Sequence, residues 1–231
     1  MSDSLKVGIT HGDVNGIGYE ILLKTFSDAR MLELCQPVIY GSSRSASWHR
    51  KAFDGEAVNF HIISRAEEAQ EGKVNLVNCV KEEIRIELGT ATAEAGESAY
   101  IALDQATRDL EEGKIDLLVT LPINKDTIQN DQFRFPGHTE FLEERFAKKG
   151  EKAMMILASE MMKVALVTTH LPLSEVPARL TKEGILEQLK ALDHTLKRDY
   201  LIELPRIAVL GLNPHAGENG LLGKEELEII A

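Results

Sequence analysis

Apolar positions along this chain recur with two periods. Short runs rich in branched residues, Lys6-Val7-Gly8-Ile9-Thr10, Pro37-Val38-Ile39-Tyr40-Gly41 and Ile115-Asp116-Leu117-Leu118-Val119-Thr120, predict buried strands. Between them, apolar residues fall at helical spacing: Tyr19, Leu22, Leu23 and Phe26, then Ala99, Leu103, Ala106 and Leu110. Ser42 and Ser43 precede a polar helix holding Trp48. Residues 58–63 and 73–80 read as strands separated by an acidic turn, and 84–89 alternate as a half-exposed strand does. Thr92 opens the long helix and 111–114 close it. In the second half, 153–158 and 164–169 predict two strands, joined as a hairpin through Met161-Met162-Lys163. Helices follow over 173–179 and from Thr181 to Tyr200, the latter with Ile185, Leu189, Leu192 and Leu196 on its inner face. Arg206-Ile207-Ala208-Val209-Leu210 predicts a last strand, and 224–231 begin an amphipathic helix. Strands alternating with helices in this way predict an α/β class with a parallel sheet.

Candidate chemistry gathers where predicted strands end, which is where open α/β sheets bind ligands. The first strand enters His11-Gly12-Asp13-Val14-Asn15-Gly16-Ile17-Gly18 and then a helix, a layout that turns backbone N–H groups toward an anion. The spacing G-x-x-x-G-x-G is neither the dinucleotide fingerprint nor a P-loop, so a tight turn with close helix packing explains it equally well. His11 and Asp13 either serve that site or cap the helix. Leu121-Pro122-Ile123-Asn124-Lys125 places a lysine at another strand tip, either as an anion ligand or as a solvated side chain. Gly137-His138-Thr139 reads as a loop with Thr139 capping a helix over 140–148. Thr168-Thr169-His170-Leu171-Pro172 and Gly211-Leu212-Asn213-Pro214-His215-Ala216-Gly217 end two predicted strands in histidines. Two such imidazoles either share a metal ion or make loop hydrogen bonds. His49, His61 and His194 read as surface residues.

Bulk properties narrow the partners. The 231 residues carry 43% hydrophobic and 27% charged side chains, as globular proteins do. A net charge of −11 argues against nucleic acid as the main partner, because phosphate binding needs a basic face. No apolar run approaches the ~20 residues of a membrane span. The Met1-Ser2-Asp3-Ser4-Leu5-Lys6 start is unlike a signal peptide, so a cytoplasmic location is expected. Cys35 and Cys79, the only cysteines, lack metal or redox spacing and are read as reduced core residues.

Five stretches together carry a resemblance: Thr10-His11-Gly12-Asp13-Val14-Asn15-Gly16-Ile17-Gly18, Leu121-Pro122-Ile123-Asn124-Lys125, Gly137-His138-Thr139-Glu140-Phe141, Thr168-Thr169-His170-Leu171-Pro172-Leu173 and Gly211-Leu212-Asn213-Pro214-His215-Ala216-Gly217-Glu218. In this order and at these separations they resemble the 4-hydroxythreonine-4-phosphate dehydrogenase family of pyridoxal phosphate biosynthesis. The departures are small: His11 stands where a proline is more usual, and Val14-Asn15 where Pro-Ala is common.

The resemblance implies an α/β fold like isocitrate and isopropylmalate dehydrogenases, with two α/β domains around a central cleft, here 1–126 and 127–231, and with the C-terminal part missing. It implies NAD (or NADP) bound without the usual glycine fingerprint. It also implies a divalent metal, usually zinc with magnesium or cobalt as options, held by three histidines. Two of these match His170 and His215; the third belongs beyond residue 231 and comes from the other subunit of a homodimer, as do further residues for the substrate phosphate. His138 and Thr139 match substrate-contacting positions. The implied reaction is oxidation and decarboxylation of 4-phosphooxy-L-threonine to 3-amino-2-oxopropyl phosphate. Two alternatives remain: a dehydrogenase of D-threonate or D-erythronate 4-phosphate in the same family, and a non-catalytic, ligand-binding module. The shortened chain is expected to be inactive alone, and either to self-associate or to carry a disordered C-terminal tail.

Overall fold

Parallel pairing organises the first part of the chain. In a computed structural model, the described residues are 4–53, 58–148 and 151–231; Met1 to Asp3 of the N-terminal stretch read above lie outside them. Contacts divide the chain into two compact units, Met1–Glu151 and Lys152–Ala231, and each is described by itself. The division falls later than the expected boundary at 126/127, because Ile128, Phe133 and Phe141 pack with Ala99 and Leu103 as one cluster of the first unit.

The first unit is built on β1 (Lys6–Thr10), β2 (Gln36–Gly41), β3 (Phe60–Ile63), β4 (Val74–Asn78) and β5 (Leu117–Thr120), which form one sheet in the order β3-β4-β2-β1-β5. Every pairing is parallel. Such sheets are covered on both faces, so alternate side chains of one strand enter different cores. Accordingly Ile39 of β2 packs with Tyr19, Leu22, Phe26 and Ala46, whereas Val38 and Tyr40 pack with Ala102, Ala106 and Ile115. The helices on the first face are α1 (Gly18–Phe26) and α3 (Ser43–Ala52), with a single turn, α2 (Met31–Leu34), between them; α4 (Ala93–Glu111) covers the second. Ser42 and Thr92 cap α3 and α4 by accepting from the backbone N–H groups of Ser45 and Ala95.

Two expectations for this unit fail. Residues 84–89 form no strand: Asn15 holds them as a loop, its Oδ1 accepting from Glu87 N at 2.8 Å and its carbonyl from Gly89 N at 2.8 Å. A buried asparagine that satisfies backbone groups in this way replaces a strand ladder. His49 is not a surface residue. It is fully buried, stacked on Tyr19 with ring centroids 4.9 Å apart, and its Nε2 lies 2.8 Å from the Val14 carbonyl. His61 is half-buried and His194 is exposed.

In the second unit, β6 (Ile156–Ala158) and β7 (Lys163–Ala165) form the expected antiparallel hairpin, closed by Ser159 and Met162. The helices are α6 (Val176–Arg179) and α7 (Lys182–Arg198), the latter capped by Thr181. Ile185 and Leu196 of α7 are buried; Leu189 and Leu192 border a groove of about 680 Å³ that Val164, Leu166, Ile207 and Val209 also line. The strand expected over 206–210 is not formed, and β7 stops at Ala165. Both runs are apolar enough, but a strand exists only with a ladder partner; among the described residues β6 and β7 pair only with each other, and Leu210 stays 82% exposed. Residues 226–230 close the unit as a short π-helical turn.

Candidate functional site

The carboxyl ends of β1 and β5 adjoin, since Thr10 pairs with Thr120. Here the strand order departs in opposite directions, β2 on one side of β1 and β5 on the other, which makes a switch point. Gly12 has a positive φ of 69°, and a side chain there would run into the Pro122 carbonyl; Asp13 N donates to that carbonyl at 2.9 Å. The first loop is thereby locked to the tip of β5. His11 is wholly buried rather than free to serve a ligand. Its Nε2 lies 3.2 Å from both the carbonyl and the hydroxyl of Ser98, and burial lowers its pKa to about 4. Asp13 accepts from Asn15 N at 2.8 Å and so shapes the turn.

Beyond Pro122 the chain makes a side-chain-directed turn. Asn124 Oδ1 accepts from the N–H groups of Asp126 at 3.0 Å and Thr127 at 3.1 Å, which leaves Lys125 exposed on the outside. Gln129 Nε2 donates to the carbonyls of Lys125 at 3.0 Å and Phe135 at 2.9 Å, tying this turn to the loop that leads into α5 (His138–Phe146). Gly137 is the N-cap of α5, without a side-chain cap. Thr139 is therefore not the cap: the extended backbone at Gly137 starts the helix two residues earlier than expected, and Thr139 already lies in its first turn. The His138 ring is partly buried, and its Nε2 is shielded from solvent with no hydrogen-bond partner among the described residues. Burial, and after it the neighbouring Lys125 ammonium, hold the His138 pKa below the ordinary histidine value. A desolvated ring nitrogen with no protein partner costs free energy unless a ligand engages it.

His170 and His215 both lie in the second unit, and both are exposed. Neither ends a strand. His170 follows β7 after an irregular stretch and has a left-handed backbone with φ of 54°. His215 also has φ of 54° and begins a run of left-handed residues through Asn219. Non-glycine residues rarely adopt that conformation, and side-chain bonds pin the start of the run: Asn213 N donates to Glu226 at 2.6 Å and its Nδ2 to Glu225 at 2.8 Å. Among the described residues no group of three histidine, cysteine, aspartate or glutamate side chains is placed to hold a metal ion. Two imidazoles are fewer than the three protein ligands of a catalytic zinc. Cys35 and Cys79 are free and half-buried. No described helix is long and apolar enough to cross a membrane.

The features missed from sequence are Asn15 and Glu226. Each is a polar side chain that folds a distant loop by bonding its backbone; Asn15 lies within the glycine-rich stretch after β1, but nothing in that pattern points to this role.

The sequence profile of the family described as pyridoxal phosphate biosynthetic protein PdxA matches residues 33–231. A 4-hydroxythreonine-4-phosphate dehydrogenase of Bacteroides thetaiotaomicron is 52% identical over 228 residues, covering 99% of this chain and 62% of the relative. One of Sulfurihydrogenibium is 37% identical, covering 98% of this chain and 68% of the relative. The crystal structure of a 4-hydroxythreonine-4-phosphate dehydrogenase of Klebsiella pneumoniae superposes with a TM-score of 0.83 at 30% identity, over 99% of this chain and 69% of that one. The chain thus spans a little under two thirds of the Bacteroides relative, and it shares the α/β fold of these enzymes. On the profile match and on these two levels of identity, the chain belongs to the PdxA family.

Proposed function

We propose that the whole protein oxidises 4-phosphooxy-L-threonine at C3 with NAD, and that the resulting β-keto acid loses carbon dioxide to give 3-amino-2-oxopropyl phosphate. The observation that carries this reading is His138 Nε2, a shielded nitrogen without a partner among the described residues, in the first turn of α5 and within a chain of this family. In this reading His138 and Thr139 bind and orient the substrate by hydrogen bonds, so that its C3 hydrogen faces the nicotinamide. A ring held neutral can either donate or accept at Nε2, and so can meet a hydroxyl. The nicotinamide supplies the hydride acceptor. A homodimer with a shared site, a cytoplasmic location and zinc as the metal belong to the same proposal.

His170 and His215 are the ligands this chain would offer that metal, and by themselves they make an incomplete set. Zinc titration of the 231-residue chain against a competing chelator is expected to give binding of roughly micromolar strength or weaker. Retention at nanomolar zinc would overturn this view of the two histidines.

The substrate is tested by following NAD reduction at matched concentrations of three phosphorylated acids, with protein of the full length its relatives have. The expected result is a kcat/KM at least about tenfold higher for 4-phosphooxy-L-threonine than for D-threonate or D-erythronate 4-phosphate, since a site that bonds the 2-amino group leaves polar groups unpaired around a hydroxyl. The reverse order would assign the protein to the sugar-acid branch of the family. Ligand binding without any NAD reduction would point to the non-catalytic module.

A further inference from the structure

Lys125 is unassigned by anything above, yet the fold brings it toward His138 by two separate devices. Asn124 shapes the turn that carries it, and Gln129 ties that turn to the loop before α5. A Cβ added at Gly137 would lie 3.6 Å from Lys125 Cε and 3.8 Å from Nζ, so the ammonium runs along the backbone immediately ahead of His138. Glu140 also comes close, its Oε2 lying 3.8 Å from the same Cβ. Nε2 of His138, the next residue, is shielded from solvent.

Resting on the reading of His138 as a substrate contact, we propose that Lys125 is a positioning residue acting through His138, its ammonium keeping the imidazole uncharged so that Nε2 meets the substrate as a neutral hydrogen-bonding group. A fixed positive charge beside an imidazole opposes the gain of a second one, and the effect is strongest where water is excluded. Burial of the ring works in the same direction, and the lowered pKa of His138 has both causes. A carboxylate such as Glu140 works in the opposite direction. In this arrangement, Lys125 adds to burial in disfavouring the charged form of the ring that the ligand encounters.

The test is the titration of His138 in the intact 231-residue chain, read by NMR on histidine-labelled protein and assigned with His138→Gln. In Lys125→Met the His138 midpoint is expected to move to higher pH, while Lys125→Arg keeps the wild-type midpoint and the other histidines stay in place. An unmoved midpoint in Lys125→Met would overturn the proposal. So would an equal movement in Lys125→Arg, which would mark a steric effect. Amide spectra of each variant establish that it is folded. A second arm measures binding of 4-phosphooxy-L-threonine against pH in the full-length protein. There the acid limb of binding is expected to follow the His138 midpoint upward in Lys125→Met. A midpoint that moves while binding ignores it supports the Lys125–His138 coupling and instead sinks the reading of His138 as a substrate contact.

Discussion

Lowering the pH from 7 to 4 is expected to cost the first unit about 3 kcal/mol of stability through His11 alone. The folded protein keeps this ring neutral down to a pKa of about 4, because it is entirely buried between Tyr19 and Ser98. The unfolded chain takes up the proton near the ordinary value of ~6.5. Across that window the unfolded state binds the extra proton, so stability is fully present above the unfolded pKa and falls as the pH falls through the window. Below the folded pKa both states are protonated and the loss levels off. His49, also lowered by burial, works in the same direction. The check uses the single tryptophan, Trp48, whose ring lies 5.0 Å from His49 and so reports on this unit. Urea unfolding followed by Trp48 fluorescence at pH 7 and pH 4.5 is expected to show a large drop in midpoint for the wild type. In His11→Gln the midpoint is lower at pH 7 but changes less with pH. An equal pH dependence in both proteins would contradict the account.

Gly96→Ala is expected to destabilise the same unit by about 2 kcal/mol. On helix propensity alone the substitution should gain about 1 kcal/mol, because Gly96 lies inside α4. Packing decides the sign. A Cβ at position 96 would meet the carbonyl of Thr127 and lie 2.8 Å from Ile128 N, and these are backbone atoms that cannot rotate away. Either α4 or the 124–128 turn must shift, and that turn is the one that presents Lys125. The same fluorescence measurement checks it: a lower urea midpoint is expected, and a midpoint equal to or above the wild type would show that the turn yields at no cost.

What could be read from sequence follows a physical line. Local signals were enough where a segment's structure depends on itself. The apolar runs of β1 and β2 and the spacing of Leu103 and Ala106 correspond to buried elements, and Thr92 and Thr181 do cap α4 and α7; β5, expected to be buried, lies at the sheet edge with Val119 exposed. Local signals failed where a distant partner decides. The 206–210 run is as apolar as β5 but finds no ladder, and 84–89 alternates like a strand but is captured by Asn15. His49 sits on a polar helix and reads as exposed; the Tyr19 ring and the Val14 carbonyl, both distant in sequence, help to bury it. For the candidate site, the strand-tip rule singled out Lys125 and the motif resemblance singled out His138, but their proximity rests on Gln129. For His170 and His215 the expected placement at strand ends is replaced by left-handed loop positions. The weight on these two residues comes from motif order, not from a strand.

The central claim is a coupled oxidation and decarboxylation, and its stoichiometry tests it most directly. Protein of the relatives' full length, supplied with zinc, NAD and a limiting amount of 4-phosphooxy-L-threonine, is assayed for NADH by absorbance and for carbon dioxide by isotope release. The account predicts one NADH and one carbon dioxide for each substrate molecule consumed, with 3-amino-2-oxopropyl phosphate as the phosphorylated product. Substrate left intact at saturating NAD, or NADH formed without release of carbon dioxide, would contradict it.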